Sequence, residues 1–341
     1  FVQNVTWIEV PSSPSRRAML ESGEVQIASV SHKDILELTD QGFKAQKKGL
    51  LNTIDSISFT GNYWEKFSPL SGAELQRDRN TSKPWVGDPF EGGGDFDNDT
   101  ASMTTSRLVR NALAWAINRD ELVQQLLSGV GSVNYQPYLS IRHPNHKAEW
   151  NWGTDIDKAK SMFAEAGYES GFEMELWVGT HDPESEIGGS VGAGWQEHLG
   201  VKGNLIRTSY SSYRPGLATR STDIPFIGCG EETKSNFPYD WAHGFLMSSI
   251  SAGEYGVGME IPWASETYVE MLNEIDKDSR EAFASAFYQN NADNALCVGI
   301  FERPIWPIFA PDTMVNGDWD MRPMADDTLS TINNIRSIKL K

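Results

Sequence analysis

The stretch EVQIASVSHKDILELTDQGFKAQKKGLLNTIDSISFTGN, residues 24–62, reads as strand, helix, strand. EVQIASV is strand material. Ser31 stands where a helix over KDILELTDQ needs an oxygen to cap its first N–H groups, and Gly42 stops that helix. LLNTIDSISFTGN returns as a strand. Toward the N-terminus, Val2, Val5, Trp7, Ile8 and Val10 alternate as strand residues do. Ser12 to Glu21 then forms a short helix, with Pro14 near its start and Gly23 just past its end. The first sixty residues therefore alternate β-α-β-α-β, the mark of an α/β lobe.

Toward the C-terminus the character changes. Residues 65–104 carry Gly92, Gly93 and Gly94, several Asp and Asn, and little periodicity, as a long loop does. From 106 to 128, Leu108, Val109, Ala112, Leu113 and Ala116 mark one helical face. Asn118 with Glu121 three residues on resembles a capping box and starts a second helix, ended by Gly129. Asp155 or Asp157 caps IDKAKSMFAEAGY; FEMELWVG, NLIRTSY and DIPFIGCG read as strands, with a helix around Trp195–Leu199. Residues 265–290 are helical, and ALCVGIF, IWPIFAP and TINNIRSIKL are late strands. At 341 residues, two lobes are expected.

A net charge of −18 repels phosphate backbones and argues against nucleic acid or an anionic membrane face as partner. No apolar run approaches the roughly 20 residues that span a bilayer. No signal peptide is visible, and a start inside FVQNVTWIEVP suggests that sequence lies upstream. Twelve Trp supply surfaces suited to gripping a ligand or to filling a large core. The two cysteines, Cys229 and Cys297, allow one disulfide, although Cys297, within ALCVGIF, reads as a buried thiol. GDFDNDT begins a calcium-loop pattern with Asp95, Asp97 and Asp99. The pattern fails at Thr100, where glycine is needed, and at Ser106, where the bidentate Glu belongs. No nucleophile elbow, P-loop, dinucleotide fingerprint or HExxH motif occurs, so the chain reads as a binder without a cofactor rather than an enzyme. A two-carboxylate glycosidase, which needs only two acids in a cleft, is the enzyme reading that stays open.

Four segments in order resemble the solute-binding proteins of peptide, oligopeptide and nickel ABC transporters: SRRAMLESGEVQIA (15–28), with Gln26 in place of the usual Asp; RLVRNALAWAINRDELVQQLLSGVG (107–131); DIDKAKSMFAEAGYESGFEMEL (155–176); and VGIFERPIWPIFAPDTMVNG (298–317). The resemblance implies a two-lobed, periplasmic-binding-protein-like α/β fold with a ligand cleft and hinge strands. Residues 1–64 and 305–341 would form a first lobe whose N-terminal part is absent. Residues 65–104 would be an excursion and 105–304 a second lobe. The hinge would run near 57–62 and 300–310. The implied function is reversible capture of a di- or oligopeptide and delivery to a membrane permease by a monomer. The implied location is periplasmic or extracellular, held at the membrane through a lost N-terminal signal or lipid anchor. A non-peptide solute, such as an oligosaccharide or metal complex, is the alternative.

By position in the family's ligand loop, Glu231 takes the role of the acid that grips a peptide ammonium, with Asp240 the later acid; Asn236 and Trp241 lie in the same loop. Gly228 replaces the family's usual Trp, and the loop between the acids is longer than usual. Cys229 falls where oligopeptide-binding members can have a paired cysteine. Trp241 and Trp64 are candidates to stack on ligand side chains or to pack in the core. Asn62, ending SISFTGN, either binds a ligand backbone or serves as a turn residue. Trp85 is a candidate lid residue on the long loop, and Trp306 is expected at the lobe junction.

Overall fold

In the computed structural model, which describes residues 4, 6–45, 52–67, 72–74, 80–180, 182–231, 259–304 and 306–311, the elements of the 24–62 stretch divide between two sheets. Helix α1 (Ser13–Glu21) is capped by Ser12, whose hydroxyl accepts from the Ser15 N–H at 3.4 Å. Helix α2 (His32–Asp40) follows Ser31 and ends before Gly42, whose φ of +94° is a left-handed conformation that suits glycine. Strands β1 (Ile27–Ala28) and β2 (Lys44–Ala45) both pair antiparallel with β9 (Ile308–Phe309), which lies between them. Leu20, Val30, Ile35, Leu38 and Ile308 form the core of this small unit, and Trp306 packs against it.

Residues 6–10 are not a strand. They are irregular, with Trp7 and Ile8 exposed. Alternation supports a strand only where a partner takes its backbone groups, and here the Arg16 guanidinium takes the carbonyls of Val10 (2.8 Å) and Pro11 (2.7 Å) instead.

Strand β3 (Asn52–Ser58) belongs to a second, six-stranded sheet. That sheet also contains β4 (Ser132–Val133), β5 (Glu173–Val178), β6 (Lys202–Arg207), β7 (Phe226–Glu231) and β8 (Cys297–Pro304), in the order β4-β8-β3-β7-β5-β6. β3 runs antiparallel to both β7 and β8, and β5 runs parallel to β6 and β7. The chain thus crosses between the sheets twice, from Ala45 to Asn52 and from Pro304 to Ile308. The second crossing falls within the 300–310 segment that the resemblance implies as a hinge. The first lies upstream of the predicted 57–62, because β3 is paired on both sides along its length and cannot leave the larger sheet.

Helix α3 (Ala101–Trp115) begins before its apolar face does, because the Thr100 hydroxyl caps it at the Met103 N–H (3.1 Å). Helix α4 (Arg119–Leu127) has the predicted box: Asn118 accepts from the Glu121 N–H and donates to its carboxylate at 2.8 Å. Asp155, the first of the two candidates, caps α5 (Ile156–Glu165). Helices α6 (Glu184–Leu199), α7 (Tyr210–Ala218), α8 (Pro262–Asn273) and α9 (Lys277–Asn294) follow. The strand predicted over TINNIRSIKL lies outside the described residues.

Cys297 is a free, buried thiol, 3.4 Å from the Ser58 hydroxyl, and burial pushes it up to about 11. In the acidic loop, Asp97 accepts the Asp99 N–H at 2.8 Å. Among the described residues no group of three or more His, Cys, Asp or Glu side chains is placed to hold a metal ion, and no helix is long and apolar enough to cross a membrane.

Candidate functional site

The two crossings leave a cleft between the small unit and the rim of the larger sheet. The rim is set by register. Thr53 of β3 stands opposite Arg303 of β8 on one side and opposite Glu231 of β7 on the other. Two residues along β3, on the same face of the strand, the wholly buried Asp55 accepts a hydrogen bond from Arg303 Nε at 2.7 Å. Loss of water around the Asp55 carboxyl raises it to about 6, although the Arg303 guanidinium pulls the other way. Its second oxygen, Oδ1, has no hydrogen-bond partner.

A cavity of about 310 Å³ opens beside Arg303. On the small unit it is lined by the beginnings of α1 (Ser12, Ser13) and α2 (Ser31, His32), and on the larger unit by the beginning of α6 (Pro183, Glu186). Among the described residues, two side-chain contacts that bridge the units stand out. His32 Nε2 donates to the Pro304 carbonyl at 2.8 Å, and Lys33 Nζ meets Glu186 Oε1 at 2.5 Å. Burial lowers His32 to about 4, and the nearby Arg303 charge adds to this, so at neutral pH the ring is uncharged. The walls are mainly hydroxyls, guanidinium groups and helix ends. Such a surface can hold a small polar solute by hydrogen bonds and charge.

The predicted site residues divide into three sets. The backbone of Glu231 stands at the cleft end of β7, two strands from Arg303, with Cys229 two residues before it. Asn236, Asp240 and Trp241 lie outside the described residues. Asn62, Trp64 and Trp85 are brought together, but as a buried knot past the other end of β3. The Asn62 amide donates to the carbonyls of Phe59 (2.8 Å) and Trp85 (3.2 Å), and its oxygen accepts the Gly87 N–H at 3.0 Å. The Trp64 indole donates to the Gly87 carbonyl at 2.9 Å, and the Trp85 indole to those of Thr60 and Asp223, each at 3.1 Å. Trp85 is 1% exposed, so it is a core residue rather than a lid. The knot binds residues 85–87 of the predicted excursion into the larger core. β3 rises about 3.4 Å per residue, which puts its Ser58 end roughly 17 Å from Thr53 and the rim.

Sequence reasoning missed Ser13, His32, Asp55 and Arg303. A usable signal existed for two of them. Asp55 interrupts NTIDSIS as a buried charge with a partner does, and Arg303, next to the buried Glu302, interrupts the apolar run from Ala295 to Phe309.

The model for the middle part of the bacterial extracellular solute-binding proteins, family 5, matches residues 2–224. Heme-binding protein A of Haemophilus influenzae is 26% identical over 118 residues, which are 31% of this chain and 20% of that protein. Glutathione-binding protein GsiB of Pectobacterium atrosepticum is 26% identical over 185 residues, 52% of this chain and 27% of that protein. Among solved structures, the dipeptide binding protein from Pseudoalteromonas sp. SM9913 in complex with Met-Leu superposes with a TM-score of 0.67 at 16% identity, covering 89% of this chain and 53% of that one. The periplasmic binding protein DppA of Helicobacter pylori in complex with peptide STSA gives a TM-score of 0.66 at 15% identity, covering 89% and 52%. These likenesses show a shared fold. The chain spans about half the length of the solved structures it matches.

Proposed function

The chain belongs to the bacterial extracellular solute-binding proteins of family 5, and from that membership we propose that it reversibly captures a peptide in the cleft between its two units and delivers it to the permease of an ABC importer. The observation that carries this reading is the polar cavity at the place where the chain crosses twice between sheets. Two crossings side by side allow one unit to rotate on the other. Closure over a ligand buries it and changes the outer surface that a permease reads. The register of β7 supports a role for Glu231, whose backbone flanks the rim. A carboxylate there is the group that would meet a peptide ammonium, and a charge-assisted hydrogen bond of this kind contributes about 1.5–3 kcal/mol.

In this reading the small unit holds residues 13–45 and 306–311 and the large unit the described residues between 52 and 304, so the first-lobe boundary moves from residue 64 to the 45–52 crossing. The protein works as a monomer outside the cytoplasm, at the membrane that carries the permease. The match to a heme-binding relative favours a second reading, in which the captured solute is not a peptide.

A thermal-shift screen of di- to pentapeptides against oligosaccharides and heme separates the two, since a ligand that binds only the folded state raises the melting temperature. Stabilisation by peptides alone is expected. Stabilisation by none of the peptides would sink the peptide reading. Mass spectrometry of the recovered ligand, expected intact, tests the binder against any hydrolase.

A further inference from the structure

We propose that the larger unit carries a second binding site, on the face formed by α3, α5 and the end of α9, that takes a neutral sugar ring against the indole of Trp115. The site shares no lining residue with the cavity between the units, and it does not depend on what the cleft captures.

Helix α3 supplies Arg107, Asn111 and Trp115, spaced four residues apart and so on one face. From the first to the third the axis advances about 12 Å. Helix α5 supplies Lys158 and Met162, the loop before it Trp150 and Trp152, and α9 supplies Asp293. Together they enclose a pocket of about 330 Å³, at the lower end of the range of about 300–1,000 Å³ for small-ligand sites.

The walls are fastened by Asn111. Its oxygen accepts the Trp152 indole N–H at 3.0 Å, and its amide donates to the carbonyls of Arg107 (3.0 Å) and Asp293 (2.9 Å). The Trp150 indole donates to Gln289 Oε1 of α9 at 3.0 Å. These bonds tie α3, the loop and the end of α9 together, so the pocket is formed before any ligand arrives.

The chemistry of the lining selects the ligand. Trp115 is partly buried, and its ring carries the Lys158 ammonium 3.6 Å from its centroid. Lys158 is exposed and forms no ion pair among the described residues. A cation held on a ring at an exposed site is held weakly, so a ligand can take its place. Two cations, Arg107 and Lys158, and two carboxylates, Glu149 and Asp293, surround the pocket, and their formal charges cancel although the chain carries −18. Glu149 and Asp293 form no ion pair among the described residues, and Arg107 only reaches the exposed Asp99 at 3.5 Å. Donors and acceptors therefore stand around an apolar surface with no net charge. A pyranose is complementary to that: its C–H groups present an apolar face to an indole, and each hydroxyl on its edge both donates and accepts.

The test uses the whole chain, with cellobiose and maltose as probes in saturation-transfer NMR, and circular dichroism to check that each variant is folded. At least one disaccharide is expected to bind with a Kd of about 1 mM, with transfer strongest to ring C–H protons. Trp115→Ala is expected to weaken binding about tenfold. The double variant Glu149→Gln, Asp293→Asn changes only exposed side chains, is expected to weaken binding about tenfold as well, and decides the matter alone if Trp115→Ala does not fold. Absence of transfer to both disaccharides in the wild type overturns the site, as does unchanged binding in every folded variant. A peptide that raises the melting temperature is expected to do so equally in these variants and to leave the sugar signal unchanged. Displacement of the sugar by that peptide would put the sugar in the cleft and overturn the second site. If no peptide raises the melting temperature, the peptide reading falls and the sugar titrations still decide this one.

Discussion

Arg303 donates to Asp55 at 2.7 Å across neighbouring strands, joining a carboxylate with no solvent exposure to a guanidinium on the cleft wall. The pair holds Arg303 in one orientation at the rim, because Asp55 is fixed within a strand paired on both sides.

Removing one partner should therefore cost more than removing both. Arg303→Met leaves a buried, uncompensated carboxylate and is expected to destabilise the fold by about 3–5 kcal/mol. The double variant with Asp55→Leu should recover much of that loss. Urea unfolding of the single and double variants measures the difference, and equal losses would contradict the pairing.

The same corner sets an unusual pH dependence. Asp55 is raised to about 6 from 3.8, so the folded state binds its proton more tightly than the unfolded state, and stability from this group falls as pH rises from about 4 to 6. His32 is lowered to about 4 from 6.5, so the folded state binds fewer protons, and stability rises with pH from about 4 to 6.5. The two trends oppose each other. Asp55→Asn is expected to unmask the rise and His32→Gln the fall. Melting temperatures from pH 4 to 7 for the three proteins check both signs.

The knot at the far end of β3 is structural. Trp85→Ala removes a core indole and is expected to cost about 3–5 kcal/mol. Asn62→Ala strips the partner from the Gly87 N–H and is expected to cost about 1–3 kcal/mol. Ligand affinity of any folded Asn62→Ala protein should stay within about twofold of wild type, as for a group remote from the site. A selective loss of binding would return Asn62 to the cleft.

Lys33 and Glu186 form the ion pair that bridges the two units, with both side chains more than a third exposed. Lys33→Ala is expected to change stability by less than about 1 kcal/mol. Small-angle scattering is expected to show compaction on saturation with a ligand that shifts the melting temperature, and to show it in Lys33→Ala as well. An unchanged radius of gyration would argue against hinge closure.

Elements whose cause is local were legible in the sequence. Asn118 and Asp155 cap the helices they were expected to cap, because a cap is written within four residues, whereas Ser31 precedes α2 without making the expected side-chain capping bond. Non-local relations were not legible. Nothing within NTIDSIS states that its neighbours are residues 226–231 and 297–304, so its pairing in the larger sheet could not be read from the strand itself. Helix α7 escaped notice because Pro215 and Gly216 interrupt any helical pattern over Tyr210–Ala218. For the site, the role of Glu231 as the acid that grips a ligand ammonium comes from resemblance alone. Ser13, His32 and Arg303 line one cavity only because three separate segments converge, and no spacing in the chain encodes that.

The central position of β9 in the three-stranded sheet bears on how the protein is made. Ile27 and Ala28 pair with Phe309 and Ile308, and Lys44 and Ala45 use the other edge of the same two residues. During synthesis the early helices leave the ribosome long before the strand that unites them. The unit begun first is thus finished last, and a truncation before Ile308 should leave its serine-lined wall unassembled.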